Sequence, residues 1–438
     1  MRLQDFAAEY GSARPVRAHM PGHKGKGDEI NRYDITEIDG ADSLYEASGI
    51  ILESEERTSA VYDSQTLYSC GGSTLCIQTM LTMCVPRGGT VAAARGCHRA
   101  FLSACIMCGL DVKWIYPCSD EGASDMTGGE YDLTEIALTL DRYRPSCLYI
   151  TSPDYLGRLA PIDDIARICH DRGVILAVDN AHGAYLRFVY KDGVPLHPMY
   201  HGADICCDSA HKTLPVLTGG AYLHMSDAFD RDRAKAVMSV YGSSSPSYLI
   251  LRSLDLCTDH MEAQLSLGEE SYYNRLGDMA QPLHECGIDT VRGEPGKLTL
   301  IASSIGYTGR ELSDELRRHG IECEFADSAY TVLMLTGLDG DELSRIEAAL
   351  KSIPRKEPFA PKLPLVYPHE KAMSLRDAFF AESESVPVSE CAGRICSRAV
   401  TVCPPGIAVT VGGEVYREED IRLLSSQGIK TVLCVKQP

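Results

Sequence analysis

A lysine set between a buried strand and a turn is the residue of this sequence best placed for covalent chemistry. In Asp204-Ile-Cys-Cys-Asp-Ser209-Ala-His211-Lys212-Thr-Leu-Pro215 an apolar run ends and Lys212 follows at once. Ser209 and His211 flank it, and Pro215, Gly219 and Gly220 mark the turn beyond. An amine held near another cation and partly desolvated loses its proton more readily and can form a Schiff base. Thirty-three residues earlier, the run Val174-Ile-Leu-Ala-Val-Asp179-Asn-Ala-His182-Gly183 brings a carboxylate to the end of a hydrophobic strand. Burying a carboxylate is costly unless a cation pairs with it. Alone, Asp179 could equally cap a helix or join His182 at a metal. Nearer the N-terminus, Cys70-Gly71-Gly72-Ser73-Thr74 follows one strand and opens a helix. Free first-turn amides and hydroxyls suit a phosphate, although Ser or Thr after glycine also makes an ordinary helix cap. The loop Arg95-Gly-Cys-His98-Arg-Ala-Phe101 offers an aromatic face, with His98 directly after a strand end.

Each of these signals has a bland reading alone; their order and spacing together are what a pyridoxal 5'-phosphate site requires. The cradle takes the phosphate, the strand-end carboxylate keeps the pyridine nitrogen protonated, and the lysine carries the aldehyde. Such groups must stand at the C-terminal ends of strands, where open α/β sheets place ligands. Apolar runs at 65–70, 90–94, 111–116, 146–151, 174–179, 203–208 and 219–224 predict those strands. Amphipathic stretches such as Leu133–Tyr143 and Ile162–Arg172 predict crossover helices on a parallel sheet.

Residues 1–55 are polar and rich in Gly and charge, and read as an arm; 226–285 read mainly as helix. A second alternation follows, with strands in 298–304 and 331–337 and helices over Gly309–His319 and Asp341–Ser352. The expected organisation is an arm and large cofactor-binding domain over 1–285, a smaller α/β domain over 286–360, and a β-rich segment over 361–438 packed with the smaller domain.

The chain has 438 residues, with 42 Lys+Arg against 61 Asp+Glu, a formal charge of −19. That balance repels a polyanion and leaves room for a cationic ligand. No apolar window reaches the roughly 18 residues of a membrane span, and MRLQDFAAEY lacks the apolar core of a signal peptide. The expectation is a cytoplasmic protein whose 18 Cys are buried, reduced thiols. Cys105-x-x-Cys108 has metal spacing but no second pair. His19/His23 and His197/His201 each straddle a proline that breaks the helix a metal pair would need, so no metal is expected.

With these motifs on the page, the sequence resembles the ornithine/lysine/arginine decarboxylase family of fold type I pyridoxal phosphate enzymes, in its short form. The resemblance rests on His19-Met-Pro-Gly-His23-Lys24-Gly25, Asp34-Ile-Thr36-Glu37, Gly72-Ser73-Thr74 and Cys97-His98-Arg99. It continues through Asp179-x-Ala181-His182-Gly183, Ser209-Ala-His211-Lys212-Thr-Leu-Pro, Ser244-Ser245-Pro246-Ser247-Tyr248, Gly306-Tyr307-Thr308-Gly309 and Cys403-Pro404-Pro405-Gly406-Ile407. It implies Lys212 for the covalent link, Asp179 for the pyridine nitrogen, His98 for stacking on the ring and Ala181 for packing against the other face. Ser73, Thr74, Ser209 and His211 would hold the phosphate, and His182 would brace its neighbours. His211 or Lys212 would return the proton to Cα. It implies further a homodimer in which Ser244 or Ser245 reaches the partner's phosphate and the segment with His23 and Lys24 crosses over.

The implied reaction is α-decarboxylation of a basic amino acid, arginine first and lysine second, in polyamine metabolism or acid resistance. A distal amine or guanidinium would need a carboxylate, for which Glu37, Asp39, Asp42 and Glu414 are the candidates. Departures from the family pattern are Asn180 for Glu, Gly219 for Gln, Ala47 and Ala408 for Pro, and Gly71-Gly72 for Asn-Gly. The rival readings are another fold type I reaction, with Arg394 or Arg398 clamping an α-carboxylate as in aminotransferases, and a cofactor-retaining protein without turnover.

Overall fold

The structure is a computed structural model that describes residues 2–116, 124–125, 131–361, 365–402 and 407–437. Cys403–Gly406 of the family-like motifs lies outside them. The protein is an α/β fold with a mostly parallel central sheet. All seven expected strands of that sheet are present, their ends shifted by at most two residues: β1 (Gln65–Ser69), β2 (Thr90–Ala94), β3 (Asp111–Ile115), β4 (Cys147–Thr151), β5 (Ile175–Asp179), β6 (Ile205–Asp208) and β7 (Ala221–Met225). The helices that bear on the argument are α1 (Leu3–Ala13), α2 (Ile50–Tyr62), α3 (Gly72–Cys84), α4 (Arg99–Cys108), α5 (Leu133–Tyr143), α6 (Ile162–His170), α7 (Ala210–Thr213), α8 (Arg231–Tyr241) and α9 (Tyr248–Leu267).

The chain divides into two compact units, Met1–Met83 with Ala177–Gly277, and Cys84–Leu176 with Asp278–Pro438. In the first unit β5 and β6 pair in parallel, with Asp179 opposite Cys207. Strand β7 then runs antiparallel to both β6 and β1. Every residue of β6 and β7 is buried. With both faces covered, an antiparallel strand reads in sequence like a parallel one, which is why the apolar pattern predicted only parallel strands.

The N-terminal residues are better anchored than an arm. Leu3 and Ala7 of α1 are fully buried in a core with Leu44, Ile51, Tyr62 and Leu254. They lie four residues apart on one helix face, as does Gly11, where an added Cβ would stand 2.9 Å from the Arg32 carbonyl oxygen. A single buried carboxylate joins other parts of this unit. Glu55 on α2 accepts from the Tyr68 amide at 2.8 Å, from Arg231 at 2.7 Å and from Lys235 at 2.5 Å, and is itself 0% exposed.

In the second unit β2 pairs in parallel with both β3 and β4. Helix α5 has the bounds its periodicity predicts, and the Asp132 carboxylate caps it by accepting from the Thr134 and Glu135 amides. Residues 286–360 hold a four-stranded antiparallel sheet, with β8 (Thr290–Val291), β9 (Lys297–Ile301), β10 (Phe325–Ala326) and β11 (Tyr330–Met334) in the order β8-β9-β11-β10. They also hold helices α10 (Gly309–Arg318) and α11 (Gly340–Ser352). The strand expected to 304 stops at Ile301, because 302–305 tighten into a 3-10 turn that Gly306 ends with φ 78°. The final segment has its own small core around Val386, Cys396, Tyr416 and Cys434. It is tied to the β2 end of the unit: the Arg95 guanidinium bonds both Glu414 oxygens at 3.0 and 2.8 Å while lying over the Trp114 ring.

Candidate active site

The cradle is built where β1 meets α3. Gly72 takes φ +66°, a conformation that costs an L residue, and a Cβ there would meet nothing within 4 Å, so the space above it is open. Ser69 fixes the bend, its hydroxyl accepting from the Gly71 amide at 3.1 Å and donating to the Gly72 carbonyl at 3.0 Å. The Gly72 amide donates to the Gly219 carbonyl at 2.8 Å, which ties the cradle to the loop before β7. Ser209 donates its hydroxyl proton to Ser73 across 2.8 Å, and Thr74 is exposed in the first turn. The Ser73 and Ser209 hydroxyls thus meet at the start of α3. Cys70 is not a nucleophile here, because burial pushes its thiol up to about 12.

The strand ends supply the remaining groups. Asp179 is 2% exposed at the end of β5, and it accepts from the Ala181 amide at 3.1 Å and from the Cys207 thiol at 3.7 Å. Lys212 sits on the short helix α7, its amide bonded to the Ser209 carbonyl at 2.9 Å, and its side chain is exposed. Its Nζ lies 3.0 Å from Nε2 of His182, which is 7% exposed and reaches the lysine from the loop after β5. The amine is exposed and stands beside an imidazole. His211 donates from Nδ1 to the Gly220 carbonyl at 2.9 Å. Burial and the Lys212 charge hold this imidazole below its usual value, against the pull of the Gly220 bond.

Thus Ser73, Ser209, Lys212, His182, His211, Ala181 and Asp179 all belong to the first unit. Ser244 and Ser245 are exposed in the turn before α9, with the Ser245 amide donating to the Ser243 hydroxyl. His98 lies in the second unit, where its Nδ1 accepts from the Ala100 amide at 3.2 Å and caps α4. Its part as the ring's cover stays with the family resemblance.

Two of the four distal carboxylates are already committed elsewhere. Glu414 is the buried partner of Arg95 and also accepts from the Val411 amide at 2.9 Å. Asp42 accepts from the Ser43, Ser48, Gly49 and Ile51 amides at 2.8–3.0 Å. Burial pushes the Asp42 carboxyl up, but these amides outweigh it and hold the group below its ordinary value. Glu37 and Asp39 are exposed and remain candidates. His23, expected to cross to a partner, bonds Asp34 at 3.1 Å within the chain, and Lys24 bonds the His19 carbonyl.

A buried set not evident from the sequence lies behind the site: His197, Asp208 and His224, each offering one side-chain nitrogen or oxygen within 4.8 Å of the others. The signal was present, since Asp208 stands at a strand end next to Ser209. The partners that explain it come from distant segments.

The family model described as Orn/Lys/Arg decarboxylase, major domain, matches residues 8–275, and the model for that family's C-terminal domain matches residues 360–426. An arginine decarboxylase of Bacillus subtilis is 29% identical over 94% of this chain and 90% of its own length. The lysine decarboxylase LdcF of Francisella novicida superposes with a TM-score of 0.82 at 16% identity, covering 99% of this chain and 81% of that one. Lysine decarboxylase A of Pseudomonas aeruginosa does so with a TM-score of 0.81 at 17% identity, over 99% and 80%. These structures share the fold, and with a model match spanning more than half its residues, the chain belongs to the Orn/Lys/Arg decarboxylase family.

Proposed function

We propose that the chain is a pyridoxal 5'-phosphate-dependent decarboxylase of a basic amino acid, with arginine the first candidate and lysine the second. The observation that carries this is the Lys212 amine 3.0 Å from His182, in one unit with buried Asp179 and the open cradle at Gly72. The residues present fit the cofactor. The cradle leaves room where a Cβ would stand, Ser73 and Ser209 already meet, and Asp179 is a buried carboxylate in the same unit. When bound, pyridoxal phosphate supplies an electron-accepting ring for the pair left behind as carbon dioxide departs.

The chain's own residues then have separable tasks. Ser73, Thr74 and Ser209 would bind the phosphate. Asp179 holds a proton on the pyridine nitrogen. His182, with Nε2 3.0 Å from the Lys212 amine, would take a proton from the ammonium and leave the amine as the group that holds the cofactor. His211 points its Nδ1 proton at Gly220, so Nε2 of the neutral ring is an acceptor, and a phosphate beside it would draw a proton onto that nitrogen. Lys212 or His211 returns the proton that replaces the carboxylate.

The aminotransferase rival needs an arginine ready for the α-carboxylate. Arg394 is bound to Glu384 and the Val435 carbonyl, and Arg398 lies over the Phe379 ring, so neither supports that reading. Because each turnover consumes a proton and yields an amine, the reaction suits polyamine formation or acid resistance. A cytoplasmic homodimer is the setting that the family resemblance supports, and no helix among the described residues is long and apolar enough to cross a membrane.

The test is a substrate panel. The cofactor-loaded protein with arginine, lysine or ornithine should release carbon dioxide and the matching amine. Keto acid without carbon dioxide would replace this reading with transamination, and no product from any of the three would overturn it.

A further inference from the structure

Behind the strand ends that carry Asp179 and Lys212, Asp208 is held by four donors with no access to water. Asn180 donates from Nδ2 to Oδ1 at 2.6 Å, and the Cys206 thiol reaches the same oxygen at 3.9 Å. Nε2 of His197 and of His224 approach Oδ2 at 3.1 and 3.0 Å. Asn180, His197, Asp208 and His224 are each 0% exposed. A carboxylate has about four lone-pair sites, and all four are used.

Nε2 of both imidazoles faces the Asp208 carboxylate, and the Met199 amide approaches Nδ1 of His197 at 3.4 Å, so hydrogen bonds alone satisfy the carboxylate. Side chains alternate along a strand, so Asp208 and Cys206 point away from the face on which Cys207 meets Asp179.

Its covalent neighbours give it a role. Asn180 directly follows Asp179, and Asp208 directly precedes Ser209, whose carbonyl holds the Lys212 amide. Two backbone bonds also link these loops, from the Asn180 amide to Cys207 at 3.0 Å and from the Ser209 amide to Ala181 at 3.3 Å. These backbone bonds hold the two loops side by side, and the Asn180–Asp208 bond adds a side-chain link between them. We propose that Asp208 is a positioning residue: through Asn180 it sets the rotation of the two strand-end loops, and so the orientation of Asp179 and Lys212 toward the cofactor. This rests on the cofactor reading above.

The two groups can exchange roles. Asn180→Asp sets a second carboxylate against Asp208, a like-charge pair relieved only by taking up a proton, so Asn180→Leu, which leaves no proton to share, is measured beside it. Adding Asp208→Asn restores a donor facing an acceptor, while the new amide oxygen still accepts from both imidazoles. The experiment titrates apoprotein with pyridoxal phosphate and records Kd, the visible circular dichroism per bound cofactor, and the Tm of the apoprotein. Asn180→Asp should weaken binding about tenfold and reduce the dichroism; the double variant should recover both.

Wild-type binding and dichroism in Asn180→Leu would overturn the proposal. So would a double variant that regains wild-type Tm without regaining the dichroism. Should Asn180→Asp fail to fold, Asn180→Leu removes the bond without adding charge and is read in the same way. If the wild-type apoprotein takes up no cofactor, or Lys212→Ala keeps the visible band, the cofactor reading itself fails and takes this proposal with it; the Lys212 control tells the two failures apart.

Discussion

Lys212 is exposed and its Nζ meets His182 at 3.0 Å, so replacing its side chain should separate chemistry from stability. Lys212→Ala should abolish the visible band of cofactor-loaded protein and lower turnover by about 10²–10⁴-fold. The Tm of its apoprotein should stay near wild type, because an exposed side chain contributes only about 0.5 kcal/mol. Gly72 makes the opposite test. Its Cβ would meet nothing, so Gly72→Ala in the apoprotein should cost only the left-handed backbone strain of about 1–2 kcal/mol, read by urea denaturation. The same methyl would stand in the cradle and should weaken cofactor binding more than that strain accounts for. These residues were legible in the sequence because their roles follow from local order: a strand end, a glycine, then a hydroxyl or an amine. The exposure of Lys212 and its meeting with His182 were not, since both depend on how two loops thirty residues apart turn toward each other.

Among the elements, α2, β1 and α8 are joined at Glu55, whose carboxylate satisfies Lys235 at a site where both are almost wholly buried. Removing one member of such a pair leaves the other charged without a partner, at a cost of about 3–5 kcal/mol. Glu55→Ala should therefore lower the urea midpoint strongly. Arg231→Ala should lower it less, since Arg231 is 23% exposed and water can replace it. A variant at Glu55 as stable as wild type would show that these elements hold by apolar packing alone. The elements themselves were read well from periodicity, as with α5 and its Asp132 cap. What joins them was not, because Glu55 and Lys235 are 180 residues apart and neither carries a local signature of burial. For the same reason the polar composition of residues 1–55 suggested an arm: three residues on one face of α1 decide that it packs, and an average over fifty-five conceals them.

For the whole molecule, the charge of −19 implies self-repulsion that eases as pH falls, which would favour the folded state on mild acidification. Buried groups work against this. Burial holds the imidazoles of His211, His224, His260 and His284 below their ordinary value. As pH falls through about 6.5 the unfolded chain takes up those protons first, so stability drops. Asp154 acts with the opposite sign. Burial pushes its carboxyl up to about 6, against the pull of Arg158, so between that value and the ordinary carboxylate range the folded chain binds the proton and gains stability. Four groups oppose one, and they titrate first. The Tm of wild type should therefore fall between about pH 7 and pH 5 despite the easing of charge repulsion. Asp154→Asn, which cannot take up the compensating proton, should fall more steeply over the lower half of that range. Differential scanning at three pH values in both proteins decides it: parallel curves would deny Asp154 its raised carboxyl, and a Tm that rises on acidification would show that the net charge outweighs the buried histidines.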